Sequence, residues 1–465
     1  MKDLLSVFTF DYPLTGAILI LMFASYILIF IMQIRKKKNV LSVSMFLGLV
    51  IGLLYLIVST NLPAPDASEY VNSMYMWLTM AWNIFMVMLL LALPLYIFTM
   101  VSTTFTNARH HTGGRKLLLT SFLSLWGMTL LGIVIAILLF PIMFFAKDFM
   151  QLTGNLTGHE STGIFGGIWP ELESVLNNIL LNYGLIVIVS ILLALIFALF
   201  MNIMHAKIHN FGEELIIFFE KMKEVIRKYL KWVSKMVPYV ICGMLIVLFA
   251  NYDNAFINTL SSLTLFTILF FIGLLLVWGI EYLIVWTQRK SKNEINNKEF
   301  IKLTRKYAIN DFAVQSAPVL YPITVEYVAN TGVTKEVLKT TPTLSTFMGY
   351  SMCGGFYPAL VVMFTMIQAE PMLNGSSTIQ LTTMLIMISV MVPLIMIMTL
   401  GMTGVPGADV AIILGLLSAL GLNPQYFYTI YLIEPMLDKF RGVGNSMGFA
   451  AASVITDNYY RKNNR

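Results

Sequence analysis

Gly404-Val405-Pro406-Gly407-Ala408-Asp409 interrupts an otherwise apolar stretch that runs over 384–422. A Pro-Gly break cannot continue a helix. At membrane depth the freed N–H and C=O groups survive only where protein or a polar cavity covers them. The next apolar segment carries Glu434, Asp438, Arg441 and Asn445, spaced 4, 3 and 4 apart. At 3.6 residues per turn these four share one helical face. Ionisable groups inside a span are costly and mark a substrate or ion path. A broken hairpin followed by a charged helix is an arrangement of secondary transporters.

The rest of the chain agrees. Of its 465 residues 58% are hydrophobic and 12% charged, and mean hydropathy is +0.78; a soluble domain carries about 25% charged residues. The apolar excess extends along the whole length, which makes this an all-α polytopic membrane protein and excludes water-soluble folds and secreted disulfide scaffolds. Cys242 and Cys353 both lie in apolar segments, so neither a structural disulfide nor a metal site is expected. No cofactor motif is present, and no catalytic set of Ser, His and Asp. The run 14–34 lacks a small-residue cleavage site after it and is expected to be a retained helix.

Basic residues gather in alternate loops: Arg35 to Lys38, then Arg109, Arg115 and Lys116, then Lys207 to Lys235, then Arg289 to Lys306, and finally Arg461, Lys462 and Arg465. The loops 60–75, 148–170 and 251–258 contain no Lys or Arg. Positive residues favour the cytoplasm, so the net charge of +6 reports orientation in the cell membrane and not nucleic-acid binding. The N-terminus is expected outside and the C-terminus inside. Spans are expected near 14–34, 40–59, 76–103, 117–146, 176–204, 233–250 and 260–287. The segment 211–232 alternates apolar and charged residues at helical spacing and should lie at the interface.

Beyond about residue 297 the pattern changes. The stretch 299–330 holds Asn310, Asp311, Gln315, Ser316, Pro318, Pro322 and Glu326 in an apolar run. It is too polar for lipid and too apolar for a loop, which fits a re-entrant helical hairpin. A span over 336–368 is expected to unwind at Ser351-Met352-Cys353-Gly354-Gly355, where no strong helix former stands. The hairpin at 404–409 and a last helix over 424–459 follow. Hairpin, broken helix, hairpin, helix is a two-fold internal repeat. Three regions result: an extra N-terminal helix (1–38), a scaffold with early helices (39–296) and a transport core (297–465).

On the last helix an acid, a base and an amide on one stripe can bind a zwitterion. Asp438 would take an ammonium, and Arg441 a carboxylate as a two-pronged fork. Asn445 would accept from an ammonium or donate to a carboxylate. A purely structural ion pair between Asp438 and Arg441 is the alternative. The tip Gly404, Val405, Pro406 and Gly407 would offer free N–H groups at the start of a half-helix, unless Asp409 caps them. Ser316 could play the same part in the first hairpin, or merely cap it. Cys353 could be plain packing.

These residues resemble the dicarboxylate/amino acid:cation symporters, the glutamate-transporter fold, over roughly 40–460. Two motifs look closest to the bacterial L-cystine symporter branch: Cys353-Gly354-Gly355-Phe356-Tyr357-Pro358-Ala359, and Ile433-Glu434-Pro435-Met436-Leu437-Asp438 followed by Arg441 and Asn445. The resemblance implies an elevator-type homotrimer with two re-entrant hairpins, in which Asp438 binds the substrate ammonium, Arg441 its side chain and Asn445 its α-carboxylate. The hairpin tip 404–407 would be the gate. It departs in the first hairpin tip, where Ser316 and Pro318 alone keep the family's chemistry. It departs also at two sodium-associated carboxylates, whose positions hold Cys353 and Phe449. A cation held by neutral oxygens alone binds more weakly. The coupling cation is therefore a proton or sodium, with Glu434 and Asp311 as candidate proton carriers.

The expected function is import of an amino acid, L-cystine first, by cation-coupled symport, with membrane lipid and a small-molecule substrate as partners. The alternatives are an acidic amino acid or dicarboxylate symporter and, from another class, a membrane sensor that binds substrate without transporting it. An intramembrane enzyme would need a facing nucleophile–base or aspartyl pair, and none is legible.

Overall fold

The computed structural model describes residues 13–36, 40–60, 81, 84–85, 87–88, 91–92, 94–103, 106, 114–146, 170–208, 212–250, 255–290, 295–314, 317–346, 348–368, 377–401, 408–422, 427, 430–431 and 433–463. Among them every regular element is helical. The order is α1 (Pro13–Ile34), α2 (Val40–Thr60), α3 (Gly114–Phe145), α4 (Pro170–Lys207), α5 (Glu213–Val233), α6 (Val237–Ala250), α7 (Ala255–Gln288), α8 (Asn297–Val314), α9 (Ala317–Ala329) and α10 (Lys335–Leu344). A π-helical turn (Ser351–Phe356) and then α11 (Tyr357–Gln368), α12 (Ser377–Met398), α13 (Ala408–Ala419) and α14 (Glu434–Asn463) follow. Ser316 and the tip 404–407 lie outside the described residues, and the described part of the span expected at 76–103 (81, 84–85, 87–88, 91–92 and 94–103) is helical.

Several boundaries move for identifiable reasons. The span expected from 233 becomes a 3-10 turn (Ser234–Met236) followed by α6, because Pro238 fits only a first helical turn. In the stretch expected as one last helix from 424, residues 427, 430 and 431 are helical, Ile433 is in a turn, and α14 starts at Glu434 with Pro435 as its second residue, by the same rule. α4 begins at Pro170, ahead of the span expected from 176. The interruption of the 336–368 span begins before the expected Ser351–Gly355 motif, which lies in the π-helical turn: α10 ends at Leu344, and 345–346 and 348–350 are not helical. There Gly349 adopts φ 83°, a left-handed value natural to glycine.

Among the described residues five helices contain windows long and apolar enough to cross a membrane: Ala17–Ile34, Lys116–Phe145, Leu185–Met204, Ser261–Gln288 and Ser351–Gln368. The first four present apolar side chains outward, among them Ile20, Leu138, Leu193 and Leu275, as lipid-facing helices do. The last is different, since every residue of α11 is buried and it crosses inside protein.

Two cores organise the packing. A small one joins α1, α2 and α6 through Ile18, Met22, Ile29, Ile51, Tyr55 and Ile246. The main core includes α3, α7 and everything from α8 onward. Within it α8 and α9 form an antiparallel pair: Thr304 bonds Tyr327 at 2.8 Å and Tyr307 bonds Thr324 at 3.1 Å, with the rings of Tyr307 and Tyr327 stacked at 4.3 Å. This is the hairpin expected over 299–330. α3 runs through the assembly as a spine. Its Ser121 bonds Thr341 of α10 at 2.9 Å, Ser124 bonds Thr456 of α14 at 2.7 Å, and Trp126 donates to the Met396 carbonyl of α12 at 3.0 Å. α14 lies against α3, α7, α8, α9 and α10, so its polar face is held from several sides.

Candidate functional site

Pro435 fixes where α14 begins, and that start puts Glu434 in the first turn with Asp438 and Arg441 one and two turns on. Arg441 has no exposed surface. Its Nη2 meets three carboxylates: Asp409 Oδ2 at 2.6 Å, Asp438 Oδ1 at 2.9 Å, and Glu434 Oε1. The guanidinium carbon sits 4.0 Å over the ring of Tyr357 at the head of α11, a cation–π contact worth about 2 kcal/mol when desolvated. Arg441 Nε and Nη1 are buried without a hydrogen-bond partner among the described residues.

Asp409 stands in the first turn of α13, and its carboxylate pairs with Arg441 across the fold; the N–H groups of the tip 404–407, which the sequence also offers it, lie outside the described residues. Its partner was illegible because the two residues lie on different elements. Tyr357, which carries the cation–π face, is visible in sequence only as part of the Cys-Gly-Gly-Phe-Tyr-Pro-Ala run.

Three negative charges against one positive leave two uncompensated in a site where the side chains of Glu434 and Asp409 are 6% and 7% exposed and that of Asp438 20%. Buried charge is retained only when paired. The cluster is therefore built to receive positive charge, whether a substrate ammonium, a proton or a metal cation. One ligand atom each from Asp409, Glu434 and Asp438 lies within 4.8 Å of the others, close enough to share a single cation. Asp438, the most exposed of the three, is the natural point of entry.

Asn445 is one turn further along and faces a different partner. Its Oδ1 accepts from the backbone N–H of Met352 at 3.0 Å and of Cys353 at 3.1 Å, and its Nδ2 donates to Cys353 Sγ at 2.9 Å. In this state Asn445 caps the π-helical turn, and Cys353 is a hydrogen-bond acceptor rather than plain packing. Gly355 and Gly132 let that turn and α3 approach: a Cβ on Gly355 would collide with the Thr129 carbonyl, and one on Gly132 with the Ser351 carbonyl. Asp311, from α8, is 3% exposed and approaches α14 at Gly442, where a Cβ would lie 3.2 Å from its Oδ1. Its Oδ2 has no partner among the described residues.

The chain matches the sodium:dicarboxylate symporter family over residues 39–459, nearly its whole length. It belongs to that family. The helix α1 lies before the matched region. Over 54% of its length this symporter-family chain is 23% identical to an uncharacterized symporter of Haemophilus influenzae, of which it covers 53%. Over 57% it is 21% identical to the L-cystine uptake protein TcyP of Bacillus licheniformis, of which it covers 55%. The chain spans about half the length of the curated relatives it matches. Family membership agrees with the fold expected from the hairpins and the polar last helix.

Proposed function

We propose that this protein is a secondary active transporter, not an enzyme, that imports an amino acid, L-cystine first among substrates, by symport with a proton or sodium ion. The observation that carries the reading is the Arg441 cluster: a buried guanidinium with three carboxylates, on a helix that meets a helical hairpin and a broken helix. Such a site accepts a group that brings positive charge and offers a carboxylate, which describes an amino acid. A dicarboxylate would add two negative charges to a cluster already two in excess, so the acidic-substrate reading needs a cation bound first. L-cystine is supported by the Cys353 to Ala359 and Ile433 to Asp438 runs and by one relative's description as an L-cystine uptake protein. Asp438 takes an ammonium, Arg441 the distal carboxylate through its unpartnered N–H groups, and Asn445 the α-carboxylate once released from Met352 and Cys353. Ser316 would offer its hydroxyl to the substrate and the tip 404–407 would be the gate; both lie outside the described residues. The region 297–465 moves as the carrier within a homotrimer.

The test is uptake of labelled L-cystine into proteoliposomes with sodium and proton gradients imposed separately. Uptake should occur under one gradient, fall at least roughly tenfold in Asp438→Asn, the loss expected of one charge-assisted contact, and resist competition by succinate. Succinate uptake with no cystine uptake would replace this reading with the dicarboxylate one. Substrate binding without flux under either gradient would point to a sensor.

A further inference from the structure

Glu281 lies within the apolar span of α7, well inside both ends of Ser261–Gln288. It has no exposed surface, and neither carboxyl oxygen has a hydrogen-bond partner among the described residues. Opposite it stands Ser351, the first residue of the π-helical turn, equally buried and with its hydroxyl also unpartnered. The third side is Gly448 of α14. A Cβ placed there would lie 2.7 Å from Glu281 Oε1 and 3.1 Å from Ser351 Oγ. Glycine at 448 is what admits the carboxyl group, and the two side chains converge on one point between three elements.

The charged and titratable groups on the elements packed against Glu281 are committed elsewhere or distant. On α14, Arg441 is held by its three carboxylates and Arg461 by Asp457 at 2.7 Å. Cys353 of the π-helical turn bonds Asn445, and Tyr357 of α11 lies against Arg441. Lys116, on α3, stands on the exposed end of that helix. Among the described residues no cationic side chain forms an ion pair with Glu281. A carboxylate buried without a cationic partner is too costly to keep, so this group is occupied by a cation whenever it is shut away from water.

We propose that Glu281, with Ser351 and the space left by Gly448, forms a second, separate binding site for one small monovalent cation, a proton or sodium ion. The site joins α7 to the broken helix and to α14. Its occupancy neutralises Glu281 and lets the three elements stay packed. If the protein transports as proposed above, this cation is the coupling ion. The site itself does not depend on that reading.

Purified full-length protein, without substrate, is the material for the test. Thermal unfolding midpoints are measured against NaCl, with choline chloride holding ionic strength, and against pH. Because a ligand that binds the folded state raises its stability, the wild-type midpoint should rise with sodium or, for a proton, fall as pH increases. The difference between these two arms identifies the cation. Glu281→Gln removes the charge, so its midpoint should lose that dependence and, in cation-poor alkaline buffer, equal or exceed the wild-type value. Ser351→Ala should shift the half-point by about tenfold in cation concentration, the loss expected of one hydrogen bond to a charged group. A Glu281→Gln protein that follows wild type in both titrations overturns the proposal. So does one that is less stable under every condition, since that describes a structural carboxyl. In proteoliposomes Glu281→Gln should keep substrate exchange and lose gradient-driven accumulation. Absence of any transport in wild type would fault the transport reading and leave the binding result standing.

Discussion

Arg441 is the residue on which the site turns, and its surroundings predict an asymmetry. Removing it leaves three carboxylates buried together, and an uncompensated buried charge costs about 3–5 kcal/mol. Arg441→Met should therefore lower the thermal unfolding midpoint sharply, beyond what loss of the Tyr357 contact accounts for. Glu434→Gln removes one of three anions from a cluster with two in excess and should be neutral or stabilising in substrate-free protein at neutral pH. Equal destabilisation by both would mean that the cluster is a balanced structural network and not a receptor for positive charge. Much of this residue-scale picture was legible, because the 4, 3, 4 spacing places Glu434, Asp438 and Arg441 on one stripe whatever surrounds them. For Asp409 the sequence shows only the N–H groups of its own segment, and pairing across elements leaves no trace in spacing. Glu281 escaped notice for a related reason. A single acid in a long apolar run draws attention only when intramembrane charge is scored for itself, and its companions Ser351 and Gly448 are ordinary in their own segments.

At the scale of elements, the crossing of α3 over the π-helical turn holds the broken helix in place. Gly132 and Gly355 bring backbone against backbone there, so a side chain cannot be accommodated by a rotamer change. Gly132→Ala should destabilise by roughly 1–3 kcal/mol, the range for overpacking. Gly127 on the same helix and Gly279 on α7 face open space, and alanine at either should stabilise by up to about 1 kcal/mol through helix propensity. Thermal unfolding of the three variants checks both signs; a tolerated Gly132→Ala would show that the crossing has slack. The sequence located this region correctly, since paired glycines without a strong helix former must depart from a regular helix. The departure begins earlier than the paired glycines, since α10 ends at Leu344; Gly349 then takes a left-handed backbone, and Ser351 to Phe356 form a widened turn in which Asn445 satisfies two N–H groups. Hairpin existence followed from polarity and proline content, whereas exact starts followed from prolines that fit only a first turn.

Across the whole molecule, hydrogen bonds tie the basic segments together in a way that composition only suggested. Lys290 donates its backbone N–H to Thr331 at 2.9 Å, and Arg461 reaches the Gly332 carbonyl at 2.7 Å. The Thr334 N–H donates to Asp457 at 2.8 Å. The basic segment after α7, the turn after α9 and the end of α14 therefore share one side. Gln33, at the end of α1, donates to the Lys235 carbonyl at 2.7 Å, so the end of α1 and the turn before α6 also lie together. Because positive residues are retained in the cytoplasm, these contacts give the orientation a testable form. In a background with Cys242 and Cys353 replaced by serine, Lys290→Cys and Lys462→Cys should react with a membrane-impermeant maleimide only after cells are permeabilised. Thr157→Cys, in the segment free of Lys and Arg, should react in intact cells. The reverse pattern would invert the protein and with it the direction from which Asp438 is reached. Labelling of Lys290→Cys and Lys462→Cys on opposite sides would contradict the packing of α14 against the turn after α9, and so the fold itself.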